Sequence, residues 1–388
     1  MHYAEEKTVN LYKISSSSDI KKIFAKLNVS VEGSAILEKK THLNLFYIKG
    51  LKTPAANILK QDALSIGADL AVPMDAITCK TPSVDAVLIA SDKQLKELAR
   101  KEKAQPFGLK ELARKLSDFG FTCKDDVSIM GVLNANEDSF FEGSRFNATS
   151  ARARIEKMIE EGASIIDVGG VSSRPGSVSV SEEEELSRIK PIVDIIYDNA
   201  LYERVSFSLD SYSPRCLEYA LQRGFSLVND ITALANDEVA RVVARHDATV
   251  VLMHMQGTPQ SMQNAPTYDD IILDVDAFFE ERIEKAKQFG LSKLILDVGI
   301  GFGKTLEHNL RLLKHHEHFL HFGYPLLVGA SRKSMIDAII PTPIAERLAG
   351  TLALHMKAYE NGAQILRVHD VKEHIQALHV LRALNQTV

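Results

Sequence analysis

SIIDVGGVSSR, residues 164–174, opens as a short apolar run rich in isoleucine and valine and closes on glycines and polar side chains. β-Branched residues in so short a run favour a strand, and the Gly-Gly pair followed by serines and arginine ends it. Seven further runs of this kind follow residue 123. They are VSIMGVLN (127–134), VSFSLDS (205–211), SLVNDIT (226–232), TVVLMH (249–254), LILDVG (294–299), PLLVGAS (325–331) and QILRVHD (364–370), with segments of helical period between them. Repeated strand–helix units predict a parallel sheet, and eight in about 265 residues predict one closed (β/α)8 TIM barrel. Each run starts apolar and ends in residues capable of chemistry: Asn134, the GVSSR stretch, Asp210, Asn229 with Asp230, His254, Asp297, Ser331 to Lys333, and Arg367 to Asp370. Parallel strands of a barrel all point one way, so these ends converge on a single rim, the one that carries active sites. Polar groups left unpaired inside strands would be costly, so their collection at strand ends points to a shared site. Asp167, inside its run, fits a structural role equally well.

The chain of 388 residues, 45% hydrophobic, exceeds the roughly 250 residues of a single barrel, so a second, smaller domain is expected. Residues 1–105 read as a small α+β domain of unassigned role, with strand-like HLNLFYI and DAVLIAS around helical PAANILKQDALSIGA. Residues 106–122 read as a linker whose helix caps the N-terminal mouth of the barrel, and 123–388 as the barrel itself. A net charge of −5 argues against nucleic-acid binding and favours small-molecule chemistry. No apolar stretch approaches a membrane span or a signal peptide, and Cys79, Cys123 and Cys216 are widely spaced and odd in number, which suits a reducing cytoplasm. The acidic run 182–185 after Ser181 has capping-box spacing and belongs to a helix start. GIGFGKT (299–305) is no phosphate loop, because the glycine required five positions before Gly303 is Val298; a dinucleotide fingerprint would need glycine at Lys304. His315, His316, His318 and His321 could suggest a metal tract, but they precede the seventh strand, at the rim opposite the site, and are not read as metal ligands.

Several segments together resemble dihydropteroate synthase: IMGVLNANEDSFFEG (129–143), DVGGVSSRPGS (167–177), LMHMQGTPQSMQ (252–263), DVGIGFGKTLEHN (297–309), LVGASRKS (327–334), RLAGT (347–351) and RVHDVKE (367–373). The resemblance implies condensation of 6-hydroxymethyl-7,8-dihydropterin pyrophosphate with p-aminobenzoate, without a protein nucleophile. A pterin edge of N–H, amino and carbonyl groups needs carboxylates with an amide and a cation beside them. By resemblance, Asp210, Asn229, Asp297 and Lys333 supply that set, and Met253 packs on the ring. Asn134 holds Mg2+ with the pyrophosphate, while Arg174, Arg367 and His369 bind its phosphates. Ser173, Arg174, Pro175, Phe140, Phe302 and Ser334 form the p-aminobenzoate slot, which sulfonamides imitate. Asn134, Lys333, Arg367 and His369 carry the catalytic burden. The resemblance also implies a homodimer through barrel helices.

The first loop departs from the family pattern, since Asn-Val-Thr-Pro-Asp-Ser-Phe becomes Asn134-Ala135-Asn136-Glu137-Asp138-Ser139-Phe140, and Glu142 replaces an Asp. Losing the proline removes a fixed φ. Two alternatives follow. A methyl-transferring pterin barrel would share the Asp and Asn contacts but not SRPG, SRK and RVHD; a non-catalytic pterin binder would have no use for Asn134, Lys333, Arg367 and His369 together.

Overall fold

The computed structural model describes residues 19–119, 127–135, 144–171 and 180–386. The chain forms two compact units, residues 1–120 with 380–388, and residues 121–379.

In the first unit, β1 (Leu43–Lys52), β2 (Asp69–Ala71) and β3 (Ser83–Ser91) form an antiparallel sheet in the order β1-β3-β2. Alternation along β3 sends Val84, Ala86, Leu88 and Ala90 to one buried face, as a strand period of two requires. Helices Thr53–Ser65 and Asp92–Glu102 cover that face with Leu59, Ala63, Leu95 and Leu98. The second helix begins at a capping box in which the Ser91 backbone N–H donates to Gln94 Oε1 at 2.8 Å. The segment expected to link and cap forms the helix Leu109–Asp118, whose Leu109 and Leu116 belong to this same core.

The second unit is a closed barrel of eight parallel strands: β4 (Ser128–Asn134), β5 (Ile165–Gly169), β6 (Ser206–Asp210), β7 (Leu227–Asp230), β8 (Thr249–Met253), β9 (Leu294–Asp297), β10 (Leu326–Val328) and β11 (Ile365–Val368). All eight runs read from the sequence form strands, each within a few residues of its expected bounds, and β11 closes on β4. Ile166, Val168, Leu209, Val228, Leu296 and Leu366 point outward into a core shared with the surrounding helices. Met130, Ile165, Leu227, Val251, Ile295, Leu327 and Ile365 point inward and plug the barrel. Ser181 caps the helix Glu182–Asp198, its hydroxyl accepting from the Glu184 N–H at 3.2 Å, so the acidic run lies in a first turn that favours negative charge. Among the described residues no helix is long and apolar enough to cross a membrane.

Candidate functional site

Moving two residues along each strand from the apolar plug returns to the inward face one layer higher. From Ile165, Leu227, Val251, Ile295 and Ile365 that step reaches Asp167, Asn229, Met253, Asp297 and Arg367. On β6, where Phe207 and Leu209 face outward, the inward positions are Ser208 and Asp210. A polar layer therefore lies directly on an apolar one, at the C-terminal rim.

Its centre is Arg367. The Nε–H donates to Asp167 Oδ2 at 2.6 Å, and Nη2–H donates to Asp210 Oδ2 at 2.7 Å. Asn229 Nδ2–H donates to the same Asp167 oxygen at 3.1 Å. Burial opposes the arginine charge, but the two carboxylates raise its pKa above the ordinary value. Asp210 is held up at about 7 by burial, against the pull of Arg367. Asn134 and Asp210 stand on either side of Gly169, the strand position that registers with both, and a Cβ built there would lie 3.7 Å from Asn134 Oδ1 and 3.8 Å from Asp210 Oδ2.

The opposite wall comes from β8 and β9, where Met253 and Asp297 are register partners. Burial raises the Asp297 carboxyl, while the Gly299 N–H donates to it at 2.8 Å. Met253 leaves the plug and joins Ile231, Met262 and Phe302 in a separate apolar cluster, with the Lys333 ammonium 4.3 Å from the Phe302 ring centre. Gly301, at φ +85°, lets that lysine pass, because a Cβ there would lie 3.3 Å from Lys333 Cδ. Gly299, at φ +67°, is tighter still: its Cβ would fall 1.9 Å from the His254 carbonyl oxygen.

Lys304 explains that close approach. It is 3% exposed and bonds His254 Nδ1 at 2.8 Å, the His254 carbonyl at 3.2 Å and the Phe302 carbonyl at 2.8 Å. Three acceptors match the three donors of an ammonium, which fastens the loop after β9 to the end of β8.

The loops after β10 and β11 are tied together. His369 is bonded to Ser331, its Nδ1 lying 2.9 Å from the hydroxyl, and Arg332 grips the Asp370 carboxylate. Thr351 Oγ1 accepts from the Arg332 N–H at 2.9 Å, and Arg347 Nη1 donates to the Arg332 carbonyl at 3.2 Å, which gives RLAGT its place. Beneath them the Ala330 N–H meets His355 Nε2 at 2.9 Å, His355 Nδ1 meets His374 Nε2 at 2.8 Å, and His374 Nδ1 meets the Asp370 carbonyl at 2.6 Å. The amide can only donate and the carbonyl can only accept, so each imidazole carries its proton on Nδ1 and both are neutral. Burial lowers both pKa values, in agreement.

Of the residues singled out from the sequence, Asn134, Asp210, Asn229, Met253, Asp297, Phe302, Lys333, Arg367 and His369 all lie at or just beyond the C-terminal ends of the barrel strands. Ser334 is exposed at the start of the helix Ser334–Ile339. Phe140, Ser173, Arg174 and Pro175 lie outside the described residues, as do Asn136, Glu137 and Glu142. Two members were not assigned from the sequence. The inward place of Asp167 was available in principle from its spacing to Ile165; Lys304 carries no such signal, because its partner His254 lies 50 residues away.

A family model described as pterin binding enzyme matches residues 130–369. The bifunctional dihydropteroate synthase/dihydropteroate reductase of Helicobacter pylori is 44% identical over 344 residues, 88% of this chain and 90% of that protein. The dihydropteroate synthase of Escherichia coli is 44% identical over 258 residues, 66% of this chain and 90% of that protein. Among solved structures, the Yersinia pestis dihydropteroate synthase in a sulfonamide drug complex superposes with a TM-score of 0.63 at 40% identity, covering 69% of this chain and 98% of that one. The Xanthomonas albilineans dihydropteroate synthase with 4-aminobenzoic acid gives 0.63 at 35%, covering 68% and 95%. The chain belongs to the dihydropteroate synthase family of pterin-binding enzymes.

Replacing Arg367 by Ala strands two buried carboxylates, and we expect a loss of about 3–5 kcal/mol in urea unfolding. Retention of wild-type stability would show that the carboxylates do not depend on it. His355→Leu leaves the Ala330 N–H without its acceptor and is expected to cost about 1–3 kcal/mol by the same measurement.

Proposed function

We infer that this chain condenses 6-hydroxymethyl-7,8-dihydropterin pyrophosphate with p-aminobenzoate to give 7,8-dihydropteroate and pyrophosphate. The observation that carries the reading is the polar layer itself: the inward carboxylates Asp210 and Asp297 beside the Asp167–Arg367 pair, an amide and a lysine, set around apolar Met253 and Phe302, in a chain of this family. Asp210 and Asp297 accept from the pterin N–H edge, Asn229 bonds beside them, and Lys333 meets the carbonyl side. Met253 offers an apolar face to the ring. Arg367 uses Nε and one Nη2 hydrogen on Asp167 and Asp210, and a guanidinium has five N–H donors, so others are available to a phosphate. With His369 and Arg174 it forms the pyrophosphate side.

In the reaction the bond from the pterin CH2 carbon to the pyrophosphate oxygen breaks, and its electron pair leaves with pyrophosphate. Positive charge spreads into the pterin, where the Asp210 and Asp297 carboxylates stabilise it. The arylamine nitrogen then attacks the CH2 carbon and loses a proton. Orientation and exclusion of water complete the protein's part. The p-aminobenzoate slot is assigned to Phe140, Ser173, Arg174, Pro175, Phe302 and Ser334, the same slot through which a sulfonamide would compete. Asn134 is the residue that would hold Mg2+: an amide oxygen at a strand end among carboxylates suits a hard cation that keeps most of its waters. The bound ion would offset charge on the leaving pyrophosphate. A cytoplasmic homodimer, not a membrane protein or a nucleic-acid binder, completes the reading.

A second activity is favoured by one observation. The match to the Helicobacter pylori protein, named for both a synthase and a reductase, runs over 344 residues, well past the 258 shared with the Escherichia coli synthase, and so takes in the N-terminal unit. On this reading the chain also reduces dihydropteroate, adding a hydride and a proton across the remaining C=N bond of the dihydropterin ring. Supplying dihydropteroate with a reduced nicotinamide or flavin should yield tetrahydropteroate; no product with either donor removes this reading and leaves the synthase intact.

Incubation with Mg2+, the pterin pyrophosphate and labelled p-aminobenzoate is expected to produce dihydropteroate, with turnover by Lys333→Ala lowered at least about tenfold, near 1.4 kcal/mol in the barrier. Folded protein that makes none would overturn the assignment. Because burial sets Asp210 at about 7, acidification through that pH protonates an acceptor of the pterin. The KM for the pterin substrate should therefore rise as pH falls between about 8 and 6, and Asp210→Asn should show a higher KM with a flatter profile. A flat wild-type profile would exclude Asp210 from this role.

A further inference from the structure

Two histidines of the tract noted in the sequence meet a buried carboxylate away from the strand ends. Asp276 lies on the helix Ile271–Gln288, and His318 and His321 lie three residues apart on the short helix His316–Phe322. His318 Nε2 is 3.0 Å and His321 Nε2 is 2.6 Å from the same oxygen, Asp276 Oδ1. Taking one ligand atom from each residue, all three fall within 4.8 Å of one another. Asp276 is 8% exposed, and the two imidazoles are 24% and 13% exposed.

A metal bonded to nitrogen and oxygen at about 2.0–2.1 Å in tetrahedral geometry holds neighbouring ligand atoms about 3.3 Å apart. The N···O separations of 3.0 and 2.6 Å fall short of that edge, so the imidazoles would draw back by under about 1 Å to admit an ion. The donors are also held from outside. Phe319 packs edge-on against His318 with ring centres 5.1 Å apart, and Phe322 lies 4.0 Å from His321. Phe279, fully buried on the Asp276 helix, packs against both phenylalanines. The triad is thus formed by two elements and fixed by an apolar surround, as a preorganised site requires.

We propose that Asp276, His318 and His321 bind a divalent transition-metal ion of the zinc class, with water completing its coordination. Two imidazoles and one carboxylate select Zn2+, Co2+ or Ni2+ over Mg2+, which prefers an all-oxygen set. Each imidazole binds through Nε2 and keeps its proton on Nδ1. The ion would fasten the helix after β8 to the turn that leads into β10, the strand whose far end bears Lys333. It is separate in place and in ligand type from the Mg2+ assigned to Asn134, and it does not depend on the synthase reading.

The test uses the full chain, stripped with a chelator and titrated with Zn2+ by calorimetry and with Co2+ by visible absorption. We expect about one equivalent bound, with affinity at least about tenfold weaker in His318→Gln and in His321→Gln, each checked for folding by its far-ultraviolet spectrum. Zn2+ should raise the Tm of the unaltered chain and not that of either variant. Absence of stoichiometric binding, binding unchanged in both variants, or a thiolate-to-cobalt charge-transfer band would each overturn the proposal.

Discussion

Arg367 bridging Asp167 and Asp210 is the interaction on which the site rests. Burial penalises the ionised form of a carboxylate, and the Arg367 charge opposes that penalty at Asp210, whose carboxyl still sits at about 7. The guanidinium also holds the two side chains close together. Its reach is also structural: β11 pairs with β4 and β4 with β5, so Arg367 passes over β4 to bind groups on β5 and β6. Gly169 is without a side chain where such groups need room. One side chain thereby sets the charge and the spacing of a quarter of the rim.

Around this centre the loops after β8 to β11 are secured by bonds to each other as well as by bonds within themselves. Lys304 joins one pair, and Arg332, Ser331 and the two neutral histidines join another. The histidine chain has a single consistent proton arrangement from amide to carbonyl, so it transmits position and stores no charge. Arg367 and His369 are thereby held in fixed places by their neighbours, the kind of preorganisation that electrostatic stabilisation requires. Asp230 does similar work after β7, its carboxylate accepting from Thr232 and Leu234 while its neighbour Asn229 faces inward.

Much of this was legible in the sequence. The eight strands were visible because buried parallel strands are short, β-branched and nearly continuous in apolar character. The convergence of Asn134, Asp210, Asn229, Asp297, Lys333 and Arg367 followed from strand direction alone. Less was legible in the first unit, where the three-residue strand Asp69–Ala71 and the helices Ile20–Lys26 and Val31–Glu38 are too short to set up a period. Lys304 was visible only as a failed phosphate-loop residue, and the histidine tract only as an unplaced cluster.

What the sequence determined by itself was periodicity and polarity: which runs become strands, which end of each is polar, and hence the barrel and the rim that carries its chemistry. What only the tertiary structure decided was partnership. Arg367 meets Asp167 across 200 residues of chain, and His318 meets Asp276 across 42. Local sequence encodes the direction in which a side chain leaves its strand or helix, because that is fixed by backbone geometry. It does not encode which distant group waits there, because that depends on barrel closure and on the register between strands.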